Sequence, residues 1–125
     1  MSENQNAARY RQAFEAMGAG DMTGFGDSIA EDVVWWEIGA SEPVRGRDAL
    51  MEQMQFMGDF AVSVDLHDVT ASDDHLIALL DVKARRGDET LNYRTAEILH
   101  LNDAGQISER WAFSDDTQAI TEFFG

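Results

Sequence analysis

The chain has 125 residues, 44% of them hydrophobic and 10% aromatic, and nine basic residues against 24 acidic ones give a formal net charge of −15. This length predicts one domain over residues 1–125, and the apolar content is high enough to bury a core. The negative charge argues against binding to nucleic acid or to an anionic membrane surface, because both require clustered Lys or Arg. The sequence has no cysteine, which excludes disulfides and thiol catalysis.

No apolar run approaches about 18 residues, the length that a membrane-spanning helix needs. The first six residues are mostly polar and contain no signal-peptide core. We therefore expect a cytoplasmic protein.

The first part of the chain predicts two helices. Apolar residues at helical spacing mark the first helix, which ends at Gly18 and Gly20; they are Tyr10, Phe14 and Met17. A second, shorter helix is predicted to begin at Asp21 and to bury Met22, Phe25 and Ile29.

A short strand and a third helix are predicted next. Residues 33–38 are β-branched and aromatic, which favours a strand. Residues 41–46 form a loop around the single proline, Pro43. Residues 48–57 then predict a helix that aligns Leu50, Met54 and Met57 on one side.

Four segments with strand-like alternation follow, residues 60–70, 76–85, 89–101 and 106–114, and turn residues separate them. In the first segment, the apolar side chains that share a face are Phe60, Val62, Val64 and Leu66. In the third segment, the shared face consists of Leu91, Tyr93, Thr95, Glu97, Leu99 and Leu101. Asp115 and Gln118 resemble a capping box, which opens a closing helix with inward-facing Ile120 and Phe123 or Phe124.

This order of elements predicts an α+β fold in which the N-terminal helices wrap one face of a curved antiparallel sheet. Such a sheet curls into a cone whose mouth can hold a mainly apolar small molecule. The opposite face of the sheet carries polar side chains of mixed sign, namely His67, Asp81, Lys83, Arg85, Arg94 and His100.

Glu97 interrupts an otherwise apolar face of the third predicted strand. A carboxylate in that position must be protonated, paired or facing a wet cavity, because an isolated buried charge is very costly. Two interpretations remain equally open: a protonated acid that donates a hydrogen bond to a ligand, and an ion pair with Arg110.

Glu37 ends the apolar strand, where it is either a general base at the lip of a pocket or a solvated residue at a strand end. Trp35 is predicted to share a face with Glu37 and to line the cavity, while Trp36 points away. An aromatic wall of this kind suits a flat apolar ligand, although both tryptophans could equally belong to the core.

No group of His, Asp and Glu has the spacing of a metal site on one face, so we predict no metal and no cofactor. The glycines end or interrupt helices rather than follow a strand, which argues against a phosphate-binding loop. We interpret His67 and His100 as surface or dimer-interface residues.

Three stretches carry a family resemblance. Residues 6–25 (NAARYRQAFEAMGAGDMTGF) form a helix that ends in Gly-Asp, residues 29–50 (IAEDVVWWEIGASEPVRGRDAL) contain a strand and a Ser-Glu-Pro loop, and residues 98–113 (ILHLNDAGQISERWAF) form a hairpin. In this order they resemble the nuclear transport factor 2-like superfamily, nearest to its SnoaL-like and ketosteroid isomerase-like members. The resemblance implies a cystatin-like cone and a homodimer, and the superfamily includes both enzymes and binding modules.

The resemblance to ketosteroid isomerases implies roles for two glutamates. Reading residues 40–43 against the family's loop gives Glu37 as the general base. Counting back from the turn at residues 102–105 gives Glu97 as the acid that donates a hydrogen bond to the dienolate oxygen. The family's helical tyrosine falls on Ala13, and Tyr10 lies about one turn earlier.

Epoxide hydrolases and SnoaL-type cyclases place an aspartate on the last strand, and the matching position here is Ala112, which argues against both reactions. The same register points Arg110 and Ser114 inward, whereas strict alternation points Trp111 and Phe113 inward. A β-bulge would reconcile the two interpretations, and we favour an inward Arg110.

The predicted function is a cofactor-free isomerase or lyase that transfers a proton next to a carbonyl group. Glu37 takes the proton and protonated Glu97 stabilises the enolate oxygen. The predicted ligand contacts are Tyr10, Trp35, Tyr93, Arg110, Ala112 and Ser114. Two alternatives remain, a non-catalytic ligand-binding or dimerisation module of the same fold, and a dehydratase or hydrolase.

Overall fold

The computed structural model describes residues 4–21, 23–57 and 61–124. The helices of this part of the chain are α1 (Gln5–Gly18), α2 (Thr23–Asp27), α3 (Arg47–Met57) and α4 (Thr117–Phe124). Its strands are β1 (Ile29–Trp35), β2 (Val44–Arg45), β3 (Ala61–Ala71), β4 (His75–Arg86), β5 (Glu89–Leu101) and β6 (Ile107–Ser114). None of these helices combines the length and apolar character needed to cross a bilayer.

The six strands form one curved, open sheet in the order β2-β1-β6-β5-β4-β3. Strands β3 to β6 pair antiparallel with their neighbours in sequence, as the alternation predicts. Strand β1 pairs parallel with β6, and β2 pairs antiparallel with β1. The predicted α+β fold, a curved sheet with helices on one face, is therefore confirmed.

The core lies on the helix-covered face of the sheet. Alternate residues of β4 are buried on this face, namely Leu76, Ala78, Leu80, Val82 and Ala84. The apolar side chains of α1 predicted to align, Tyr10, Phe14 and Met17, pack against this core. The face thus contains the apolar residues that the period of two predicts.

The opposite face is less polar than predicted. Ile77, Leu79 and Phe113 are large apolar side chains exposed there between the charged residues, and Phe113 is 58% exposed. Together with His67, Asp81 and Arg94, two of them line a shallow groove of about 630 Å³. We call Ile77, Leu79 and Phe113 the outer apolar patch.

Strand β1 begins four residues earlier than predicted and ends at Trp35. Ile29, which the periodicity assigns to the second helix, is instead buried in the strand, because it pairs with Ile107 of β6. The backbone N–H of Ile107 donates to the carbonyl of Ser28 at 2.7 Å. The helical period was wrong here because pairing with a distant strand overrides local spacing.

The closing helix α4 is capped by Asp116 and not by Asp115. Asp116 Oδ1 accepts from the backbone N–H of Ala119 at 3.0 Å, whereas Asp115 Oδ1 accepts from the backbone of Arg94 at 3.2 Å. Ile120 and Phe123 are the buried residues of α4.

Smaller differences occur elsewhere. The predicted loop contains the short β2, and α3 begins at Arg47. Val62 is exposed at the edge strand β3, while Val64 and Leu66 pack against the core as predicted. Met22, Met57 and Phe60, which the sequence predicts to be buried, lie outside the residues and side chains that the structure describes.

Candidate active site

A buried arginine on β6 lies at the centre of the candidate site. The Arg110 side chain is 8% exposed, and its Nη2 donates to Oε1 of Glu97. Its Nη1 donates to the carbonyl of Trp36 at 2.8 Å, and its guanidinium carbon lies 4.6 Å from the ring centre of Trp35. Residues from β1, β5 and the segment after β1 therefore contact the guanidinium group on three sides.

A β-bulge turns Arg110 inward. Ile107 pairs with Leu101 and Glu109 pairs with His100, so Ser108 is an extra residue in β6. The extra residue reverses the alternation, because side chains change face at every step of a regular strand. Ile107 and Arg110 are consequently both buried, and the prediction of an inward Arg110 is correct.

The bulge also explains the remaining side chains of β6. Phe113 belongs to the exposed face, against the prediction from strict alternation. Ala112 pairs directly with Glu97 of β5 and adds no polar atom to the site. The Ser114 hydroxyl, predicted to contact ligand, instead accepts from the backbone N–H of Asp116 at 3.2 Å and so serves the start of α4.

Glu97 is 6% exposed and both of its carboxylate oxygens accept hydrogen bonds. Oε1 accepts from Arg110, and Oε2 accepts from the hydroxyl of Tyr10 at 3.0 Å. Sequence alternation correctly predicted the burial of this glutamate. The structure contains the ion pair with Arg110, which is one of the two interpretations that the sequence leaves open for Glu97.

Glu37 has a different environment. Its Oε2 lies 3.8 Å from Nη1 of Arg110, and its side chain is 36% exposed. Arg110 therefore lies between a sealed carboxylate, Glu97, and an accessible one, Glu37. The two glutamates predicted from the sequence are brought together around one cation.

Trp35 is part of the core, which is one of the two interpretations that the sequence leaves open for it. It is 5% exposed and contacts the ring of Phe25 edge-on, with ring centres 6.1 Å apart. One face of Trp35 supports the guanidinium group of Arg110. This residue is a support for the site and not an open aromatic wall.

Tyr10 belongs to this site through its hydrogen bond to Glu97, and Tyr93, the chain's other tyrosine, lies on the same face of β5 as Glu97. Burial, followed by the negative charge of Glu97, raises the pKa of Tyr10 well above its ordinary value. Burial and the nearby charge of Glu37 raise the pKa of Tyr93 to about 12. Both phenols are therefore protonated at neutral pH and can donate hydrogen bonds.

Arg110 remains charged in spite of its burial. Burial by itself lowers the pKa of an arginine, but the charges of Glu97 and Glu37 outweigh it and raise the pKa of Arg110. With two carboxylates and one guanidinium group, the cluster carries a formal charge of −1.

Two features of the site carry no clear sequence signal. The Tyr10–Glu97 hydrogen bond joins residues 87 positions apart. The Thr95 hydroxyl is buried between Tyr93 and Glu97 on β5, and no hydrogen-bond partner is found for it among the described residues. Alternation predicted the burial of Thr95, but not an unpaired hydroxyl.

The histidines lie away from this site. His100 contacts His75 edge-on, with ring centres 4.8 Å apart, and its Nδ1 is 3.5 Å from a carboxylate oxygen of Glu109. Over the described ranges, no group of three or more His, Asp and Glu side chains could hold a metal ion.

A spectrophotometric titration tests the two raised tyrosine pKa values. In the folded protein we expect no phenolate absorbance near the ordinary pKa of 10.0, and in urea we expect both tyrosines to ionise near it. Since the folded state holds these protons more tightly, the free energy of unfolding should fall as the pH rises above 10.0 toward about 12. Tyr93→Phe assigns the two signals, and a native titration near 10.0 would contradict the site's geometry.

The fold has solved relatives of similar length. Bal32a, from a soil-derived mobile gene cassette, superposes with a TM-score of 0.83 at 23% identity, covering 97% of each chain. A protein with a cystatin-like fold from Xanthomonas campestris has a TM-score of 0.79 at 26% identity, covering 98% of this chain and 99% of its own. A candidate SnoaL-like polyketide cyclase from Jannaschia has a TM-score of 0.77 at 14% identity, covering 95% and 91%.

No curated protein matches the sequence. The SnoaL-like domain matches residues 10–110, which include Tyr10, both glutamates and Arg110. That match spans most of the sequence and agrees with the curved sheet and its helices, so the chain belongs to the SnoaL-like domain family.

Proposed function

We propose that this protein binds a mainly apolar small molecule against the concave face of its sheet and transfers a proton next to a carbonyl group without a cofactor. The observation that carries the proposal is the arrangement of Glu37 and Glu97 around Arg110, with one carboxylate accessible and the other sealed. Two acids in contrasting environments are typical of sites that need one group to exchange a proton and another to stay fixed.

Glu37 is the general base of this proposal. A base must reach the proton that it removes, and the side chain of Glu37 is 36% exposed while that of Glu97 is 8% exposed. Glu37 accepts the proton from the carbon next to the carbonyl, the C–H electron pair forms the enolate, and the protonated Glu37 returns the proton to the γ carbon. The net reaction is isomerisation of a β,γ-unsaturated ketone to its conjugated form.

The hydroxyl of Tyr93 stabilises the enolate oxygen in this proposal, because Tyr10 already donates its hydrogen bond to Glu97. Tyr93 is close enough to Glu37 for its charge to raise the phenol's pKa, and the phenol is a neutral donor at neutral pH. Glu97 takes a positioning role in place of the protonated donor predicted from the sequence, because both of its oxygens already accept hydrogen bonds. It holds Tyr10 and Arg110 in place behind the base.

An isomerisation assay tests the proposal. The purified protein is mixed with a β,γ-unsaturated cyclohexenone, and the absorbance of the conjugated enone is followed with time. In parallel, exchange of the α proton is followed by NMR in deuterium oxide. We expect both rates to rise in proportion to protein concentration. The control is the same assay with the Glu37→Gln variant, and equal rates for the native protein and the variant would overturn the proposal.

A non-catalytic ligand-binding module is the second candidate, and one observation favours it. The buried Glu97–Arg110 pair and its bonds to Tyr10 and Trp36 satisfy one another, as in a structural ion pair. A series of substituted phenols, as enolate mimics, distinguishes the two functions. Tighter binding with increasing phenol acidity supports proton transfer, and binding that ignores acidity supports the module. Epoxide hydrolysis is less favoured, because Ala112 supplies no carboxylate beside Glu97.

We also propose a homodimer formed through the outer apolar patch. An exposed Phe113 beside Leu79, with Asp81 and Arg94 forming a 3.4 Å ion pair nearby, combines apolar area with charges of both signs. Such surfaces are typical of interfaces between copies of one chain.

Sedimentation velocity tests the dimer with one substitution and its control. We expect the native chain to sediment as a dimer and Phe113→Lys to sediment as a monomer, because a buried lysine without a partner is unfavourable. Ala104→Lys, in the exposed turn before β6, should leave the dimer intact. A monomeric native chain would refute the proposal.

A further inference from the structure

We infer that the site selects uncharged or cationic ligands and rejects carboxylates and phosphates. The inference rests on the proposed function, since it concerns the ligand of the same site. It goes further by assigning the ligand's charge class.

The guanidinium group of Arg110 is not available to an anion. A buried arginine ordinarily indicates a site for a carboxylate or phosphate, which it binds through two parallel N–H donors. Here Nη2 is bonded to Glu97, and Nη1 is bonded to the Trp36 carbonyl and lies 3.8 Å from Glu37. Nε has no partner among the described residues, but the Arg110 side chain is 8% exposed and its charge is already balanced by Glu97 and Glu37, so an incoming carboxylate or phosphate would add a surplus negative charge.

The remaining charges also disfavour an anion. Glu37 leaves the cluster with a formal charge of −1, and the Tyr10 hydroxyl donates its hydrogen bond to Glu97 and therefore offers no donor to an anion. Lys83, the chain's single lysine, is exposed in β4 between the buried Val82 and Ala84 and so lies on the opposite face of the sheet. The net charge of −15 adds a long-range field of the same sign, which attracts cations and repels anions.

Thr95 indicates where a neutral oxygen of the ligand binds. Its hydroxyl is buried and without a partner, in a residue 7% exposed, on the face of β5 that also carries Tyr93 and Glu97. A buried hydroxyl without a hydrogen bond is costly, so a ligand hydroxyl or carbonyl that pairs with it gains affinity. The ligand class is therefore a neutral or cationic molecule that carries such an oxygen.

Three probes with the same ring system test the charge class: β-naphthol (neutral), β-naphthoate (anionic) and β-naphthylmethylammonium (cationic). Affinities are measured by fluorescence titration at pH 7. We expect naphthoate to bind at least about tenfold more weakly than either other probe, because the cluster of Glu37, Glu97 and Arg110 carries a net negative charge. Naphthoate binding as tightly as the cation would overturn the inference.

Variants separate the site from the overall charge of the protein. Glu37→Gln should narrow the gap between naphthoate and the cation by about tenfold. The matched control Glu122→Gln, an exposed carboxylate on α4, should leave the gap unchanged. Equal effects of the two variants would overturn the inference, because the selectivity would then come from net charge alone.

A second pair of variants tests Thr95. Thr95→Val should weaken β-naphthol binding, while Thr95→Ser, which keeps the hydroxyl, should bind β-naphthol as the native protein does. Equal affinities of the native protein and both variants would overturn the role of Thr95.

The isomerisation assay uses none of these probes, so it tests the proposed reaction separately from the charge class of the ligand. If none of the three probes binds, the charge-class inference fails even where isomerisation is observed.

Discussion

Arg110→Met is expected to lower the free energy of unfolding by about 3–5 kcal/mol, because breaking a buried ion pair leaves an uncompensated charge. The substitution would leave the buried Glu97 with the hydroxyl of Tyr10 as its remaining described hydrogen-bond partner, and it would remove the donor to the Trp36 carbonyl. Methionine fills a similar volume and keeps an apolar contact with Trp35, so the loss reports on charge and hydrogen bonding. Urea unfolding followed by tryptophan fluorescence measures it.

Two controls interpret that result. The double variant Arg110→Met/Glu97→Leu should recover most of the lost stability, since replacing both partners of a buried pair by apolar residues is often neutral. Arg94→Met breaks the exposed 3.4 Å pair with Asp81 and should cost at most about 1 kcal/mol. A loss for Arg110→Met as small as that for Arg94→Met would show that the Glu97–Arg110 pair is not sealed from water.

The alternation of β5 made the burial of Glu97, one member of this ion pair, predictable from the sequence. Strand residues of period two place Tyr93, Thr95 and Glu97 on one face, and that face is the buried one because the helices cover it. The bounds of β5 agree with the sequence prediction for the same reason. Regular alternation over 13 residues leaves one register that buries the apolar side chains.

The orientation of Arg110 was not settled by pattern. Strict alternation across residues 106–114 points Trp111 and Phe113 inward, and the single extra residue Ser108 reverses that result. A bulge depends on how two strands pair, so its position leaves little trace in one strand's hydrophobic pattern. The position of Arg110 relative to the turn, taken from the family resemblance, gave the correct orientation. That count starts at the turn and includes the extra residue Ser108.

Contacts between distant segments were the least predictable. Helical spacing gave Tyr10 an inward side, but its bond to Glu97 depends on how α1 packs across the sheet. Likewise, β1 begins at Ile29 because of parallel pairing with β6, which no local spacing indicates. Local patterns predicted which residues are buried; the partners of the buried polar groups followed from packing.

Glu37→Gln is expected to lower kcat for isomerisation by about 10²–10⁴-fold, which is the usual contribution of a general base. The amide keeps the shape of the side chain and removes its ability to accept the proton. Since Glu37 is 36% exposed and 3.8 Å from Arg110, its removal should change the free energy of unfolding by less than about 1 kcal/mol. A large loss of kcat with little change in stability distinguishes a base from a structural residue.

Comparison with neighbouring variants determines what that loss means. Glu42→Gln removes an exposed carboxylate from the following loop and should leave kcat unchanged. Glu97→Gln should reduce both kcat and stability, because it disrupts the contacts of Tyr10 and Arg110 as well as the charge balance. If Glu37→Gln retains kcat within about threefold of the native protein, the accessible carboxylate is not the base. The paired glutamates then support a binding site whose ion pair is structural.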